Sequence, residues 1–239
     1  MSNGACPRRV PLQLLRNGPT TMPSHGTRKT HGAQAHEPAT LAILNAVIAA
    51  SKPLVPGATR AVLGEGPVGA SIAFVGEQPG DQEDRQGRPF VGPAGQLLDR
   101  AMSEAGIDRD RVYVTNAIKH FKFEQRGKRR LHQRPTAGEV KHYRWWLEQE
   151  LRLVRPKVVV ALGATAVLAL AGKPLPIARS RGPADFQGRA GFITVHPSFL
   201  LRVPDPDAKE QAYRDFVRDL KNIRKLATAR SPSRSSAAV

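Results

Sequence analysis

Four short apolar runs, at residues 72–75, 112–118, 158–162 and 192–195, alternate with longer stretches of helical spacing, and this rhythm restricts the fold more than any other feature. The runs are rich in Val, Ile, Phe and Leu and are closed by Gly, Lys-His or His-Pro, which reads as buried strands and not as helices. Helical spacing follows at residues 94–105, 137–154, 164–171 and from about 207 to 226. A strand–helix alternation of this kind needs crossover connections, so the strands are parallel and the crossovers right-handed. The expected fold class is α/β: three layers, α/β/α, with a central four-stranded parallel sheet. An amphipathic helix carrying Leu41, Ile43, Leu44, Val47 and Ile48 precedes the alternation, and 61–63 is a possible short strand. Residues 119–135 read as a long basic loop, and a Pro/Gly-rich connection joins the third helix to the fourth strand.

A chain of 239 residues with 40% hydrophobic content supports one sizeable core, expected at residues 38–227. Residues 1–37 mix Pro, Gly, Ser, Arg and His without periodicity and read as a disordered basic arm, and 228–239 as a disordered tail. The formal net charge of +17 points to a polyanionic partner, of which nucleic acid is the usual one. No apolar run reaches the roughly 18 residues of a membrane span, and the leader has no signal-peptide pattern, although its basic character leaves a transit peptide open. A monomer in the cytoplasm, associated with the nucleoid, is expected. Cys6 is the only cysteine, so neither an intrachain disulfide nor a cysteine-rich zinc or iron–sulfur site can be assembled.

Parallel sheets bind ligands at the carboxyl ends of their strands, and that rule sorts the polar residues. The first strand runs into residues 76–95, a stretch with five glycines, three prolines and four carboxylates. Turns account for the glycines and prolines but not for the acids, which makes Glu77, Gln78 and Asp81 candidates for chemistry, against the plainer reading of a solvated loop. Asn116 lies near the end of the second strand, where an amide offers donor and acceptor together, as the edge of a pyrimidine requires; a turn or cap role is the alternative. The basic loop holds seven Lys/Arg against one Glu, with Phe121 and Phe123 among them, a mixture that suits phosphate contacts and base stacking or simply a solvated surface. His132 closes the run Lys128-Arg129-Arg130-Leu131 and has the chemistry of a ligand, an acid/base or a nucleophile. His196-Pro197-Ser198 follows the fourth strand, where an imidazole can stabilise a developing anion or cap the next helix, and Arg202 can hold a phosphate.

Taken together, these motifs resemble the family 4 branch of the uracil-DNA glycosylase superfamily over roughly residues 39–226. The stretch from Gly76 resembles the family's first motif and His196-Pro197-Ser198 its second. Gly76-Glu77-Gln78-Pro79-Gly80, combined with the insertion Lys128-Arg129-Arg130-Leu131-His132, is similar to the X-type enzymes, which excise uracil and stay covalently attached to the resulting site; Leu131 stands where isoleucine is usual. The resemblance implies that Phe90 stacks on the flipped uracil, that Asn116 bonds its edge and that His196 stabilises the leaving anion. It implies that Gln78 and Asp81 shape the pocket and assist at the sugar, and that Lys128, Arg129, Arg130, Ser198 and Arg202 contact DNA. His132 would attack C1′, with Glu77 orienting or deprotonating it.

The resemblance also implies a [4Fe–4S] cluster held by cysteines, and here this chain departs from the pattern. The cysteine positions fall near Ala49, Lys52, His120 and Tyr143, so the chain is expected to fold without the cluster and to bind no metal, with Val47, Leu54, Tyr143 and Trp146 filling the space. The implied substrate is uracil-containing DNA, single-stranded by preference because flipping is cheapest there. Two other readings stay open: an ordinary glycosylase that releases a free abasic site, with His132 only a DNA contact, and a non-catalytic sensor of uracil-containing or single-stranded DNA.

Overall fold

The computed structural model describes residues 37–53 and 57–229. Most of the expected arm and tail, together with Cys6 and Leu54, lies outside the described residues.

The chain begins with α1 (Leu41–Ala49), capped by the Thr40 hydroxyl, and enters the sheet at β1 (Ile72–Gly76). Two helices follow, α2 (Asp81–Gln86) and α3 (Pro93–Glu104), then a 3-10 turn at Arg109–Arg111 and β2 (Tyr113–Asn116). Next come β3 (Phe123–Arg126), β4 (Arg129–His132) and α4 (Ala137–Val154), the last opened by a reciprocal Thr136–Glu139 capping box. The remainder runs β5 (Val158–Leu162), α5 (Ala164–Ala171), α6 (Ile177–Ser180), β6 (Gly182–Phe186), β7 (Arg189–Thr194), α7 (Pro197–Arg202) and α8 (Pro206–Thr228).

The sheet has the order β2-β1-β5-β7-β6, with the first four strands parallel and β6 antiparallel to β7. The four-stranded parallel core matches the expectation from periodicity. Its fifth strand lies in what reads as a Pro/Gly-rich connection, because exposed and buried residues mix along β6 and give no apolar run. The stretch at 61–63 is not a strand; Glu65 instead makes an isolated bridge to Val114 beside the edge of the sheet. The basic segment is also not a loop: β3 and β4 form an antiparallel hairpin. Its residues are mostly exposed and charged, so no alternation of apolar side chains betrays it.

Two-sided burial explains why the strands read as unbroken apolar runs. Ile72 and Phe74 of β1, with Val158, Val160 and Leu162 of β5, join Leu98, Met102, Leu200, Phe216 and Leu220 on one face. Ala73, Val75, Val159 and Ala161 join Tyr143, Leu147, Val167 and Leu170 on the other. With α3 packed on the first face and α5 on the second, the crevice between the carboxyl ends of β1 and β5 is the topological switch point, where such sheets bind ligands.

Candidate active site

A cleft of about 1150 Å³ opens at that switch point. Glu77, Gln78, Asp81, Phe90, Asn116, His132, His196, Ser198 and Arg202 all line it, so one cavity gathers residues spread over 126 positions of sequence, from 77 to 202. Phe90 and Asn116 form its inner wall. Asn116 pairs in register with Gly76, and a methyl group on Gly76 would overlap both the Asn116 Oδ1 and the Phe90 ring. Phe90 itself has φ of 56°, in the left-handed region that costs a bulky residue energy, so the surrounding packing must hold it. Gly95 makes that possible, because any Cβ there would run into the Phe90 carbonyl.

His196 caps α7. Its Nδ1 accepts the Ser198 backbone N–H at 3.1 Å and lies 2.8 Å from the Ser198 Oγ. A backbone amide can only donate, so Nδ1 carries no proton, and the proton of the neutral ring is on Nε2. Burial pushes this imidazole down to about 4; nearby Glu77 opposes the shift, while Arg202 and His132 add to it. The ring is therefore a neutral N–H donor at neutral pH. Phe90 stands beside it, with ring centroids 6.2 Å apart.

Glu77 follows β1 directly. Its Oε2 accepts the Thr165 hydroxyl at 2.6 Å, and its Oε1 lies 3.3 Å from the His132 Nε2. Burial disfavours the carboxylate, but hydrogen bonds from His132 and Thr165 outweigh it and hold the group below the ordinary glutamate value. Thr165, 4% exposed in the first turn of α5, was not legible as a site residue: only the adjacency of β1 and β5 brings it to Glu77. His132, the last residue of β4, is about half exposed on the rim.

The other carboxylates of the segment after β1 are scaffolding. Glu83 accepts the backbone N–H groups of Gly80 and Gly92, at 3.0 and 2.8 Å, and closes the loop on itself. Asp84, with no exposed side-chain surface, accepts the backbone N–H and hydroxyl of Thr59 and the Arg130 Nη1. Asp81 pairs with Arg85 and Arg130, and these cations outweigh its slight burial and keep it ionised. Asp81 reaches the cleft with its charge already matched.

The hairpin is stapled to this scaffold. Gln78 donates through Nε2 to the carbonyls of Lys122 and Gln133, one at each foot of the hairpin, and accepts the Lys122 N–H. Its carboxamide is thus committed to the hairpin although the residue borders the cleft. Arg130 requires a correction: it is not a free phosphate contact, since its guanidinium is shared by Asp81 and Asp84 and lies over the rings of Phe121 and Phe123. Lys128 and Arg129, at the hairpin tip, are exposed. Ser198 sets the orientation of His196 from within the same turn.

The profile of the uracil DNA glycosylase superfamily matches residues 63–221. The chain belongs to that superfamily. Within it, the chain is 42% identical over 153 residues to a type-4 uracil-DNA glycosylase of Thermotoga maritima, covering 63% of this chain and 76% of the relative. It is 41% identical over 179 residues to the type-4 enzyme of Sulfurisphaera tokodaii (71% and 76%), and 32% identical over 184 residues to that of Archaeoglobus fulgidus (73% and 86%). These place the glycosylase domain in the family 4 branch.

The positions that resemblance assigns to cluster cysteines hold a different arrangement. The His120 Nδ1 lies 2.7 Å from the Tyr143 hydroxyl, both residues are buried, and the imidazole also bonds to the backbone at Ser51, between Ala49 and Lys52. Burial pushes His120 below its ordinary value and keeps it neutral. Hydrogen bonds thus link segments that cysteines would otherwise tie to iron, and the residues present supply no thiolate, so this donor set does not fit an iron–sulfur group. Among the described residues no group of three or more His, Cys, Asp or Glu has metal-holding geometry. Trp146 packs against Tyr143 in the core, but Val47 does not fill the space as expected: it is half exposed on the outer side of α1.

Proposed function

We propose that this chain excises uracil from DNA and is then captured covalently at the sugar through His132. The observation that carries the reading is the pair formed by His132 and a Thr165-anchored, ionised Glu77 at the mouth of a cleft whose interior holds Phe90, Asn116 and a neutral His196.

The base of a deoxyuridine flipped into the cleft stacks on Phe90 and is read at its edge by Asn116. The C1′–N1 bond breaks with its electron pair leaving on uracil, and the charge that develops on the carbonyl oxygen is met by the His196 Nε2–H. A neutral donor already oriented by Ser198 needs no reorganisation as that charge appears. The sugar becomes an oxocarbenium-like cation at the rim. The His132 Nε2 forms the new bond to C1′ as its proton passes to the Glu77 carboxylate, and the uracil anion takes a proton from water and leaves as neutral uracil. A fixed imidazole close to the cation captures it ahead of water. The hairpin, bound by Gln78 and Arg130, keeps that imidazole in place. No step runs through a metal or cluster, and the protein is proposed to act without one. Single-stranded DNA is the preferred substrate, because no base pair must be broken to flip the base. The protein is proposed to act as a monomer in the cytoplasm, on the nucleoid.

The test is a denaturing gel of protein incubated with end-labelled single-stranded DNA containing one deoxyuridine. A retarded band that survives heat and detergent, with its cross-linked peptide mapping to His132, is the expected result. His132→Ser should lose the band yet still produce alkali-labile sites. Alkali-labile DNA without a band from the wild type would mean an ordinary glycosylase, and intact, unshifted DNA a binding protein.

A further inference from the structure

Arg181 borders the same cleft as His196 and is not accounted for by the chemistry above. It lies just after α6, before the edge strand β6, and therefore on the β6–β7 side of the cleft, across the sheet from the hairpin that extends β2. Its Nε donates to the Asp219 Oδ2 at 2.6 Å, and that same oxygen accepts the Thr194 hydroxyl. Asp219 is 7% exposed, so this anchor on α8 is largely dry. The anchor occupies one edge of the guanidinium, and Nη2, shielded from solvent, has no protein hydrogen-bond partner among the described residues. A shielded N–H without an acceptor is costly, and native proteins keep few of them. Arg202, exposed at the end of α7, lines the same cleft, and among the described residues it has no carboxylate within ion-pair distance.

We infer that Arg181 is a phosphate-binding residue for the DNA strand, a deepening that rests on the glycosylase reading above. The acidic groups of the cleft already have their donors: Glu77 has Thr165 and His132, Asp81 has Arg85 and Arg130, and Glu83 has two backbone amides. Among the described residues, an anion entering on the β6–β7 side therefore meets Arg181 and Arg202 without a competing carboxylate lining the cleft there, Asp219 being the group that orients the fork. A strand that places one nucleotide at Phe90 runs past the side of the cleft that Arg181 borders, and with Nε fixed by Asp219 it is Nη1, not sealed from solvent as Nη2 is, that is left to meet a phosphate oxygen. The exposed Lys128 and Arg129 offer looser contacts on the hairpin side. Arg181 would thus fix the register of the strand while the hairpin side supplies the nucleophile.

The test uses the full chain and a single-stranded oligonucleotide bearing a tetrahydrofuran abasic analogue, so that no chemistry intervenes. Dissociation constants are measured by fluorescence anisotropy across a salt series for the wild type, Arg181→Gln and Arg181→Lys. Loss of one phosphate contact should weaken binding by roughly 5- to 10-fold at low salt and reduce the slope of log K against log[salt] by about 0.7, the value for a single-stranded contact. Arg181→Lys keeps the charge beside Asp219 but loses the fork, and should show a smaller weakening with part of the slope restored. Unchanged affinity and slope in either folded variant would overturn the inference and leave Arg181 as a tether for α8. A wild type with no affinity for this DNA would instead overturn the glycosylase reading itself.

Discussion

His196 illustrates how one backbone contact sets the chemistry of a side chain. Because the Ser198 N–H occupies Nδ1, protonating the ring places two donors face to face, which adds to the burial that already disfavours the cation. The folded imidazole titrates near 4 and the unfolded one near its ordinary 6.5, so between these values the unfolded chain binds a proton that the folded chain does not. The stability contribution is therefore complete above about pH 6.5 and is lost progressively as pH falls to 4, on the order of 3 kcal/mol in all. Glu77, held below its ordinary value, acts in the same direction at the acid end, losing its contribution as pH falls below about 4.5. Urea titrations at pH 7, 5.5 and 4.5 should show the wild type weakening across this window and His196→Asn weakening less. Equal slopes for the two proteins would show that His196 is not the group responsible.

Two elements depend on buried ion pairs of different kinds. The β3–β4 hairpin has an exposed, polar body and is held by Arg130, Gln78 and the stacked rings of Phe121 and Phe123, whose centroids are 5.1 Å apart. Arg130→Met would strand Asp84, which has no exposed side-chain surface, and should cost about 3 kcal/mol as for other buried pairs deprived of one partner. Amide exchange in the hairpin should quicken, and covalent capture by His132 should fall more than uracil release. An undiminished ratio of adduct to released uracil would separate the staple from the chemistry. The second element is the end of β2. Lys119, wholly buried, donates to Glu150, to the Thr115 hydroxyl and to the Asn116 carbonyl, and so fixes the strand end that presents Asn116. Burial pulls the Lys119 ammonium below its ordinary value against the opposing attraction of Glu150. Lys119→Met should cost about 3–5 kcal/mol, because it leaves the Glu150 charge buried and unmatched. The double variant Lys119→Met/Glu150→Gln should recover part of that loss in chemical denaturation; no recovery would mean that packing and not charge carries the cost.

At the scale of the whole molecule, a net charge of +17 predicts DNA affinity that falls steeply with salt. Residues 1–36 carry five Lys/Arg and no acid, so deleting them should make the salt slope shallower, by up to about 0.7 for each basic residue that meets a phosphate. An unchanged slope would assign all phosphate contacts to the remaining chain. The cluster question belongs to this scale too. Purified protein is expected to contain no stoichiometric iron, to lack the visible absorption of an iron–sulfur group and to keep its activity under chelators. Tyr143→Phe, which removes the partner of His120, should lower the thermal midpoint; iron bound at one cluster per chain would refute the proposed absence outright.

The parallel core, the rim that carries the site, and the segments bearing Glu77, Asn116 and His196 were legible in the sequence. Strands buried on both faces leave unbroken apolar runs, and polar residues just after such runs must lie at their carboxyl ends. Partnership was not legible. Nothing in the spacing separates Glu77, which faces His132, from Asp81, Glu83 and Asp84, which hold cations and backbone amides. Arg130 resembles its exposed neighbours Lys128 and Arg129 until the hairpin turns it toward two aspartates. Thr165 and Arg181 stand 88 and 104 residues from Glu77 in the chain and gain meaning only where strand order sets their elements around one cleft. Local periodicity reports burial, which each residue experiences by itself. Hydrogen bonds and ion pairs join groups distant in sequence, so the choice of partner was made by the tertiary structure alone.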